Sequence, residues 1–477
     1  MGTEACHTDA LCGANFPEMK KLLLINPVGR RSGYLLSKVS MFQPLNLAYI
    51  AAVTPSRWEI KIADENIDTF EFEEADLVGI TAFTSNINRA YAIARMYREK
   101  KIKVIMGGIH SSMLPDEALK YADTVVTGEG EGIWKQVIED FENNRLLPRY
   151  NGPRIDLSRT QIIPRRDLLH PNYFWNSVQT SRGCPFNCNF CSVSRYLGQE
   201  YRQRRAADVL DELEEIKGKY IAFVDDNMIG HSQVNRNRAI ELFEGMIGRG
   251  LCKKWWMQTS INAADDENVI RLAAQAGCMF VFIGFETLNT KTLQEMKKGI
   301  NLKIGVENYK RVVDKFHKYG IGVLGSFVIG NDYESMKYYK ELADFLVTSG
   351  IDIVQFSILT PLPGTELMDQ MQREGRLIYR DFPKEWDKYR FSYVVHRSRG
   401  VEESTIYAGN NYIKNKIYSF PFYQYRLLNS AYRIKNPANI YAIYKLNQAL
   451  KKSWQSSHYY KGFMPLHNTD SDLSIKL

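Results

Sequence analysis

Three cysteines, Cys184, Cys188 and Cys191, stand at CxxxCxxC spacing in the stretch Gly183-Cys184-Pro185-Phe186-Asn187-Cys188-Asn189-Phe190-Cys191. Thiolates this close along one tight loop can each ligate one iron of a 4Fe–4S cluster, leaving the fourth iron without a protein ligand. An iron left open in this way can hold a substrate or cofactor as well as pass an electron. A structural zinc site would want a fourth Cys or His at short spacing, and the nearest downstream histidine is His231. The remaining cysteines, Cys6, Cys12, Cys252 and Cys278, form no second CxxC pair. The iron cluster is therefore preferred to zinc, and both to coincidence.

Such a loop needs a rigid frame, and the pattern on either side of it supplies two. Between about Lys20 and Tyr150, apolar β-rich runs (Lys21–Pro27, Ile60–Ala63, Leu77–Ala82, Val104–Met106, Thr124–Thr127) alternate with amphipathic stretches. In Asn88 to Glu99, for example, Ala90, Ile93, Ala94 and Tyr97 share one helical face. This alternation predicts a parallel, doubly wound, Rossmann-like sheet that binds ligands at the carboxyl ends of its strands. Those ends carry Thr84-Ser85-Asn86, Gly107-Gly108 and Gly128-Glu129-Gly130-Glu131-Gly132. The glycines would let backbone approach a large flat ligand closely; ordinary βα-loop glycines are an equal alternative.

After a Pro- and Arg-rich linker the alternation resumes from Ser177 to Leu359, with six strand candidates and intervening helices ended by Gly277, Gly320 and Gly350. Six βα units predict a partial (β/α)6 TIM-type barrel with its chemistry at the carboxyl ends of the strands. The fold class is thus α/β. Residues 1–18 read as a disordered leader, 19–150 as the Rossmann-like domain and 151–175 as the linker. The partial barrel follows at 176–390, a helical basic and aromatic C-terminal region at 391–465, and a disordered tail at 466–477. Cys6, His7 and Cys12 fall in the leader, where a metal site is the lesser reading.

Composition sets the broad class. The chain has 477 residues, 44% hydrophobic and 24% charged, with a net charge of +8, ordinary for a globular protein of two or three domains. No apolar run approaches a membrane span, and Met1 to Pro17 lacks the layout of a secretory signal. Seven cysteines in no disulfide pattern fit a reducing cytoplasm. Charge is concentrated near the C-terminus: Asn410 to Lys461 holds nine Lys or Arg, nine Tyr and no acidic residue. The favoured reading is a helical cap over the barrel mouth, broken at Pro437, with a solvated basic face. Contact of 410–461 with an anionic membrane surface ranks second, which would make the protein peripheral at the inner face of the membrane. Nucleic acid ranks third.

The cysteine stretch, with an aromatic residue before its last Cys and a strand–helix alternation after it, resembles the signature of the radical S-adenosylmethionine (SAM) enzymes. That family implies a 4Fe–4S cluster on Cys184, Cys188 and Cys191 whose open iron binds SAM, with electron transfer cleaving SAM to a 5′-deoxyadenosyl radical. The family pattern carries SAM contacts onto Phe190, onto Asp225, Asp226 and Asn227 after the second strand, and onto Ser260 and Asn262 after the third. It adds Glu286 after the fourth strand, Gly325 and Phe327 in the fifth, and Pro363 after the sixth. The Rossmann-like domain ahead of the barrel resembles the cobalamin-binding domain of the cobalamin-dependent class, which implies cobalamin at Thr84, Ser85, Gly107, Gly108, Gly128 and Glu129. The DxHxxG loop that supplies a lower histidine elsewhere has its counterpart in Asp64-Glu65-Asn66-Ile67-Asp68-Thr69, with Asn66 at the His position. A cobalt site without a lower histidine is expected; an empty, vestigial domain is the alternative.

The strings Cys-Pro-Phe-Asn-Cys-Asn-Phe-Cys, Val-Asp-Asp-Asn-Met-Ile-Gly, Ile-Gly-Phe-Glu-Thr and Pro-Leu-Pro-Gly-Thr are similar to the hopanoid C-2 methylase group. The resemblance implies a C-methyltransferase acting on an unactivated carbon of a small-molecule or lipid substrate through methylcobalamin, with a reductase partner such as flavodoxin or ferredoxin. No catalytic acid or base stands out. Radical cyclisation, ring contraction, C–C coupling or oxidation is the alternative, and a cobalamin or redox sensor the non-enzymatic one.

Overall fold

The computed structural model describes residues 19–29 and 42–456. The expected leader, with Cys6, His7 and Cys12, and the expected tail lie outside the described residues. Six strands build the first sheet: β1 (Lys20–Asn26), β2 (Trp58–Asp64), β3 (Leu77–Thr81), β4 (Lys103–Gly107), β5 (Thr124–Gly128) and β6 (Arg149–Gly152). They run parallel in the order β2-β1-β3-β4-β5-β6. Alternate residues of β1 go to opposite faces. Leu23 and Ile25 join Val78, Ile80 and the helix Ile87–Glu99 on one side. Leu22 and Leu24 join Leu77, Ile105, Trp134 and Val137 on the other. β3 is buried along its whole length, as a parallel strand covered on both faces must be. β6 is an addition to the five strands read from sequence. Its four residues alternate exposed and buried, too short a run to register as a pattern, and they carry the sheet past the boundary drawn at residue 150.

The second sheet follows β7 (Asn176–Val178), β8 (Ser181–Arg182), β9 (Arg202–Gln203), β10 (Tyr220–Phe223), β11 (Lys254–Thr259), β12 (Cys278–Glu286), β13 (Gly322–Ile329) and β14 (Ile353–Ile358). β7 and β10 to β14 form an open parallel sheet in the order β14-β13-β12-β11-β10-β7, the expected partial barrel. The single strand expected over Ser177–Ser181 is divided. The chain leaves the sheet after Val178, and Ser181–Arg182 pairs antiparallel with β9, so that this two-stranded clasp closes the neck of the cysteine loop. Outward-facing Trp255, Met257, Val281, Ile283, Phe285, Val323 and Phe327 pack under the helices with Phe243, Tyr309, Phe316 and Leu342. Gly277, Gly320 and Gly350 have φ of 102°, 75° and 85°, the left-handed turn that ends a helix and that a side chain would strain.

Three helices, Glu403–Tyr418, Phe422–Ile434 and Pro437–Ser456, close the described residues, the last starting at the proline where a break was expected. The expected cap is divided: Asn410 and Lys414 of the first helix line the cavity at the carboxyl ends of the strands, while the last helix lies at the opposite end. Asn439 Nδ2 donates to the Gly320 carbonyl at 2.8 Å, ahead of β13, and Asn447 Nδ2 to the Asp352 carbonyl at 3.0 Å, ahead of β14. The same helix brings Leu446 and Ala442 onto an apolar floor of Trp175, Trp256 and Phe280. Apolar area and unsatisfied carbonyls at the amino ends of the strands draw the helix there, leaving the carboxyl ends facing the first sheet.

Candidate functional site

The carboxyl ends of both sheets open into one cavity of about 1080 Å³. Cys184, Cys188 and Cys191 all line it, and no disulfide ties them up. The loop that carries them is held by its own backbone: Cys184 N donates to Gly198 O and Cys191 N to Cys188 O, each at 3.2 Å. Asn189 anchors it to the barrel through Nδ2 to Glu295 O at 2.7 Å. Burial pushes all three thiols up, Cys191 to about 12, so thiolates here need a cation. Iron supplies one. Among the described residues no three His, Cys, Asp or Glu side chains converge to hold a single metal ion. A 4Fe–4S cluster does not ask for that convergence, since each thiolate bonds a different iron, and the donor set fits it.

The barrel strands bring Phe190, Asp226, Ser260, Glu286 and Pro363 to the same cavity. Burial, reinforced by the neighbouring Asp225 charge, pushes the Asp226 carboxyl up to about 7. Glu286 sits at a register shift between β12 and β13 with φ of 68°, left-handed backbone that is rare outside glycine. The bulge turns its side chain inward after the core-facing Phe285. Asn301 Nδ2, donating to the Gly284 and Phe285 carbonyls at 3.0 and 3.1 Å, holds the bulge. Lys298 Nζ donates to Glu286 Oε1 at 2.6 Å and lies 5.9 Å from the Phe190 ring centroid. Burial opposes the Lys298 ammonium, but the charges of Glu286 and Cys188 outweigh it and raise its pKa.

Five residues expected at SAM lie outside the cavity wall. Asp225 is 1% exposed, accepts from Thr180 N and Oγ1 at 3.0 Å and from Ser181 Oγ at 2.5 Å, and ties β10 to the cysteine loop. Asn227 Oδ1 accepts from Gly230 N and Ser260 N, each at 3.3 Å, and Asn262 Nδ2 donates to Gly230 O at 3.2 Å. Both amides shape the turns behind the wall. Gly325 and Phe327 have the outward parity of β13: Phe327 is fully buried with its ring 5.8 Å from Phe285. Ser326 and Val328, one position over, line the cavity instead, as the two-residue period of a strand dictates.

All six residues expected at cobalamin, Thr84, Ser85, Gly107, Gly108, Gly128 and Glu129, line the cavity. Gly108 has φ of 90°, and a Cβ there would sit 2.8 Å from Ala82 O and Thr81 Oγ1, so only glycine leaves this bare stretch of backbone open to a flat ligand. The loops fit a corrin. The Asp64–Thr69 loop does not reach the cavity; it ends the edge strand β2, and Asp64 accepts from Tyr173 Oη and from Asn26 Nδ2 at 2.8 Å. The imidazole that does line this wall is His110, with Nδ1 3.1 Å from Thr84 Oγ1 and Nε2 3.2 Å from Glu117 Oε1. Both of its nitrogens are engaged.

Glu129 also joins the sheets. It is 4% exposed and lies 3.2 Å from Arg182 Nη1, with Arg202 bonded to both carboxylate oxygens. Burial works against its charge, but the Arg202 hydrogen bond and the Arg182 charge hold its carboxyl below the usual range. Arg182 Nη2 reaches Glu131 at 2.6 Å, and Tyr196 Oη donates to Gly128 O at 3.1 Å. Sequence reading missed Lys298, Arg182, Ser326 and, farther round the wall, Arg390, Asn410 and Lys414. Only Arg182, two positions before Cys184, sat close enough to a motif to be found.

Residues 178–346 match the radical SAM superfamily model, and residues 33–138 match the B12 binding domain model. The chain is 31% identical over 385 residues to bacteriochlorophyllide d C-12(1)-methyltransferase of Chlorobaculum tepidum, covering 78% of this chain and 81% of that protein. It is 27% identical to the hopanoid C-2 methylase of Rhodopseudomonas palustris, covering 73% and 68%. Among solved structures, TsrM from Kitasatospora setae with cobalamin and a [4Fe-4S] cluster aligns with a TM-score of 0.67 at 16% identity, over 91% of this chain and 99% of that one. That likeness confirms the two-sheet fold. Three cysteines at a barrel mouth, facing the Gly107-Gly108 and Gly128-Glu129 loops of the first sheet across a shared cavity, thus coincide with 31% identity across most of a relative's length. The chain belongs to the radical SAM superfamily, in the class that joins the 4Fe–4S and SAM barrel to a cobalamin-binding domain.

Proposed function

We propose that this protein transfers a methyl group from SAM to an unactivated carbon of an organic substrate. The observation that carries the reading is the single cavity, in which the cysteine loop and the strand ends of the barrel face the Thr84-Ser85, Gly107-Gly108 and Gly128-Glu129 loops of the first sheet. The activities of three relatives, two bacteriochlorophyllide methyltransferases and a hopanoid methylase, support it. When bound, the cluster supplies the electron that cleaves SAM, and the cobalt relays a methyl group. Cys184, Cys188 and Cys191 would hold the cluster. Asp226, with Glu286 held by Lys298, presents carboxylates to the SAM ammonium and ribose hydroxyls, and Ser260 and Ser326 offer hydroxyls beside them. Behind that wall, Asp225, Asn227 and Asn262 fix the turns that aim these groups, and Phe327 backs β13 from the core. Thr84, Ser85 and the glycine loops would seat the corrin, beside a His110 whose ring nitrogens are engaged by Thr84 and Glu117. The walls would exclude water and orient the reacting carbon. A reductase of the flavodoxin or ferredoxin kind would supply the electron.

The C-terminal helices support a second, compatible reading, docking on an anionic membrane. Phe420, Leu428, Tyr432 and Tyr441 are 61–81% exposed in a segment with no acidic residue, a composition suited to a headgroup layer. Among the described residues no helix is long and apolar enough to cross a membrane.

The deciding experiment measures SAM products after anaerobic reconstitution with cobalamin. Methyl transfer releases S-adenosylhomocysteine together with 5′-deoxyadenosine. Deoxyadenosine with little homocysteine product would turn the assignment to cyclisation or oxidation.

A further inference from the structure

Lys298 is held against the cysteine loop by two sets of backbone bonds. The helix Thr290–Glu295 closes with Lys297 N donating to Gln294 O at 3.0 Å and Lys298 N to Leu293 O at 2.9 Å. Lys297 has φ of 54°, the left-handed turn in which helices commonly end. The cysteine loop is bolted to the same turn: Asn189 N donates to Met296 O at 3.2 Å and its Nδ2 to Glu295 O at 2.7 Å. From there the Lys298 side chain enters the cavity wall that also carries Cys184, Cys188 and Cys191. Gly284 leaves room for the pair it makes with Glu286; a Cβ there would press on Glu286 Oε1 and sit 3.4 Å from Lys298 Nζ.

Pairing with Glu286 does not cancel the Lys298 charge at the thiols. An ion pair is a dipole, and its effect at a third site depends on which end lies nearer. Burial is the largest influence on Cys188, and against it the Lys298 charge outweighs that of Glu286. Burial also leads at Cys184 and Cys191, where Lys298 again acts to lower the thiol and Asp226 to raise it. The other cations beside the loop are placed differently. Arg182 lies between Glu129 and Glu131, at 3.2 and 2.6 Å. Lys297 and Arg195 share Glu366 at the surface, with side chains 50% and 37% exposed, where water and salt screen them. Lys298 is buried, so its charge carries farther.

Charge, hydrogen bonding and solvent exposure around a 4Fe–4S cluster set its reduction potential. One-electron reduction, with the reductase oxidised by one electron, adds one negative charge to the thiolate-held iron and forms no new bond. A buried cation favours the state that has gained that charge, and a buried carboxylate disfavours it.

We propose that Lys298 tunes the reduction potential of the cluster, its ammonium raising the midpoint and its partner Glu286 lowering it. The bolt through Asn189 keeps the positive end of the pair towards the cysteine loop. This easier reduction suits a donor of the flavodoxin or ferredoxin kind. The assignment stands on the cluster and not on the methyl-transfer reading, because the same electron is needed whatever the radical does next.

The test is a redox titration of the anaerobically reconstituted holoprotein without SAM, following the EPR signal of the reduced cluster. Lys298→Met should lower the midpoint by at least a tenfold change in the one-electron equilibrium, about 59 mV. Glu286→Gln should raise it, and Lys298→Arg, which keeps the charge, should stay near the unsubstituted value. Combining Lys298→Met with Glu286→Gln should bring the midpoint back towards that value. Loosened packing that admits water would move both single variants in the same direction, so opposite signs mark an effect of charge. Should Lys298→Met take up no iron, the upward shift in Glu286→Gln decides alone. Unchanged midpoints, or shifts of one sign in both variants, overturn the proposal. SAM products play no part in this readout, so it can fail while the methyl-transfer reading stands, and the reverse.

Discussion

Lys298 holds its ammonium 2.6 Å from the Glu286 carboxylate, on the wall that also carries Cys188 and Phe190. The two side chains are 15% and 7% exposed, so the ion pair is shielded from water and from salt. Removing one partner of such a pair leaves a buried charge unopposed, at about 3–5 kcal/mol. Lys298→Met should lower the denaturation midpoint accordingly, and adding Glu286→Gln should restore most of the loss. Glu286→Gln alone should weaken SAM binding measured by equilibrium dialysis while the iron content holds. A double variant no more stable than Lys298→Met would show that the pair is not the coupled unit described.

The Asp226 carboxyl, at about 7 in the folded protein, predicts a pH dependence of definite sign. Its folded value lies above the unfolded one near 3.9, so the folded state holds the proton more tightly. Stability from this group is full below about pH 4, falls as the pH rises, and is lost by about pH 7. Asp226→Asn, which cannot ionise, should therefore stabilise the cofactor-free protein at pH 8 by roughly 4 kcal/mol, with the gap closing towards pH 4. Thermal melts at the two pH values measure it. A pH-independent difference would mean that Asp226 ionises normally.

Cluster and corrin sites stand on different sheets, so their losses should be separable. Cys188→Ala should remove the iron chromophore and abolish SAM cleavage while leaving corrinoid binding. Gly108→Val, which drives a side chain towards the Ala82 carbonyl and Thr81 Oγ1, should abolish corrinoid binding while the iron remains. Metal analysis and corrin absorbance read both. Iron lost from Gly108→Val would show that the two sites assemble together.

Membrane docking, if electrostatic, should fade with salt. Co-sedimentation with phosphatidylserine vesicles should fall several-fold between low ionic strength and about 0.5 M salt. Charge reversal at Arg433, Lys435 and Lys445 should reduce it similarly without loss of the cofactors. Salt-insensitive binding would assign the contact to the exposed aromatic residues alone.

How much of this was legible in the sequence varied with the range of the interaction. Parallel βα units announce themselves through local periodicity, and so both sheets, the cysteine loop and the glycine ends were readable; the three thiols and all six residues expected at cobalamin do line the cavity. Parity within strands was harder to read. Phe327 belongs to a motif-like string, but the alternation of β13 sends it to the core and Ser326 to the cavity. Asp225 and Asp226 are adjacent in sequence, yet only Asp226 faces the cavity, because Asp225 turns to Thr180 and Ser181. Lys298 and Lys414 carried no signal, since their partners are brought together by tertiary contacts alone. The C-terminal helices were foreseen as helices, but the place of the last one under the barrel depends on Asn439 and Asn447 reaching carbonyls more than ninety residues away.

The arginine–glutamate junction at Glu129 has a consequence for dissection of the chain. Its carboxylate comes from the first sheet and its guanidinium partners, Arg182 and Arg202, from the clasp around the cysteine loop. Cut between Gly152 and Asn176, each fragment would inherit one sign of a charge cluster shaped for an interior, with water as its new neighbour. Neither piece is then a faithful miniature of its half. The chain is a single instrument, whose two cofactor seats were tuned against each other and are best studied in one piece.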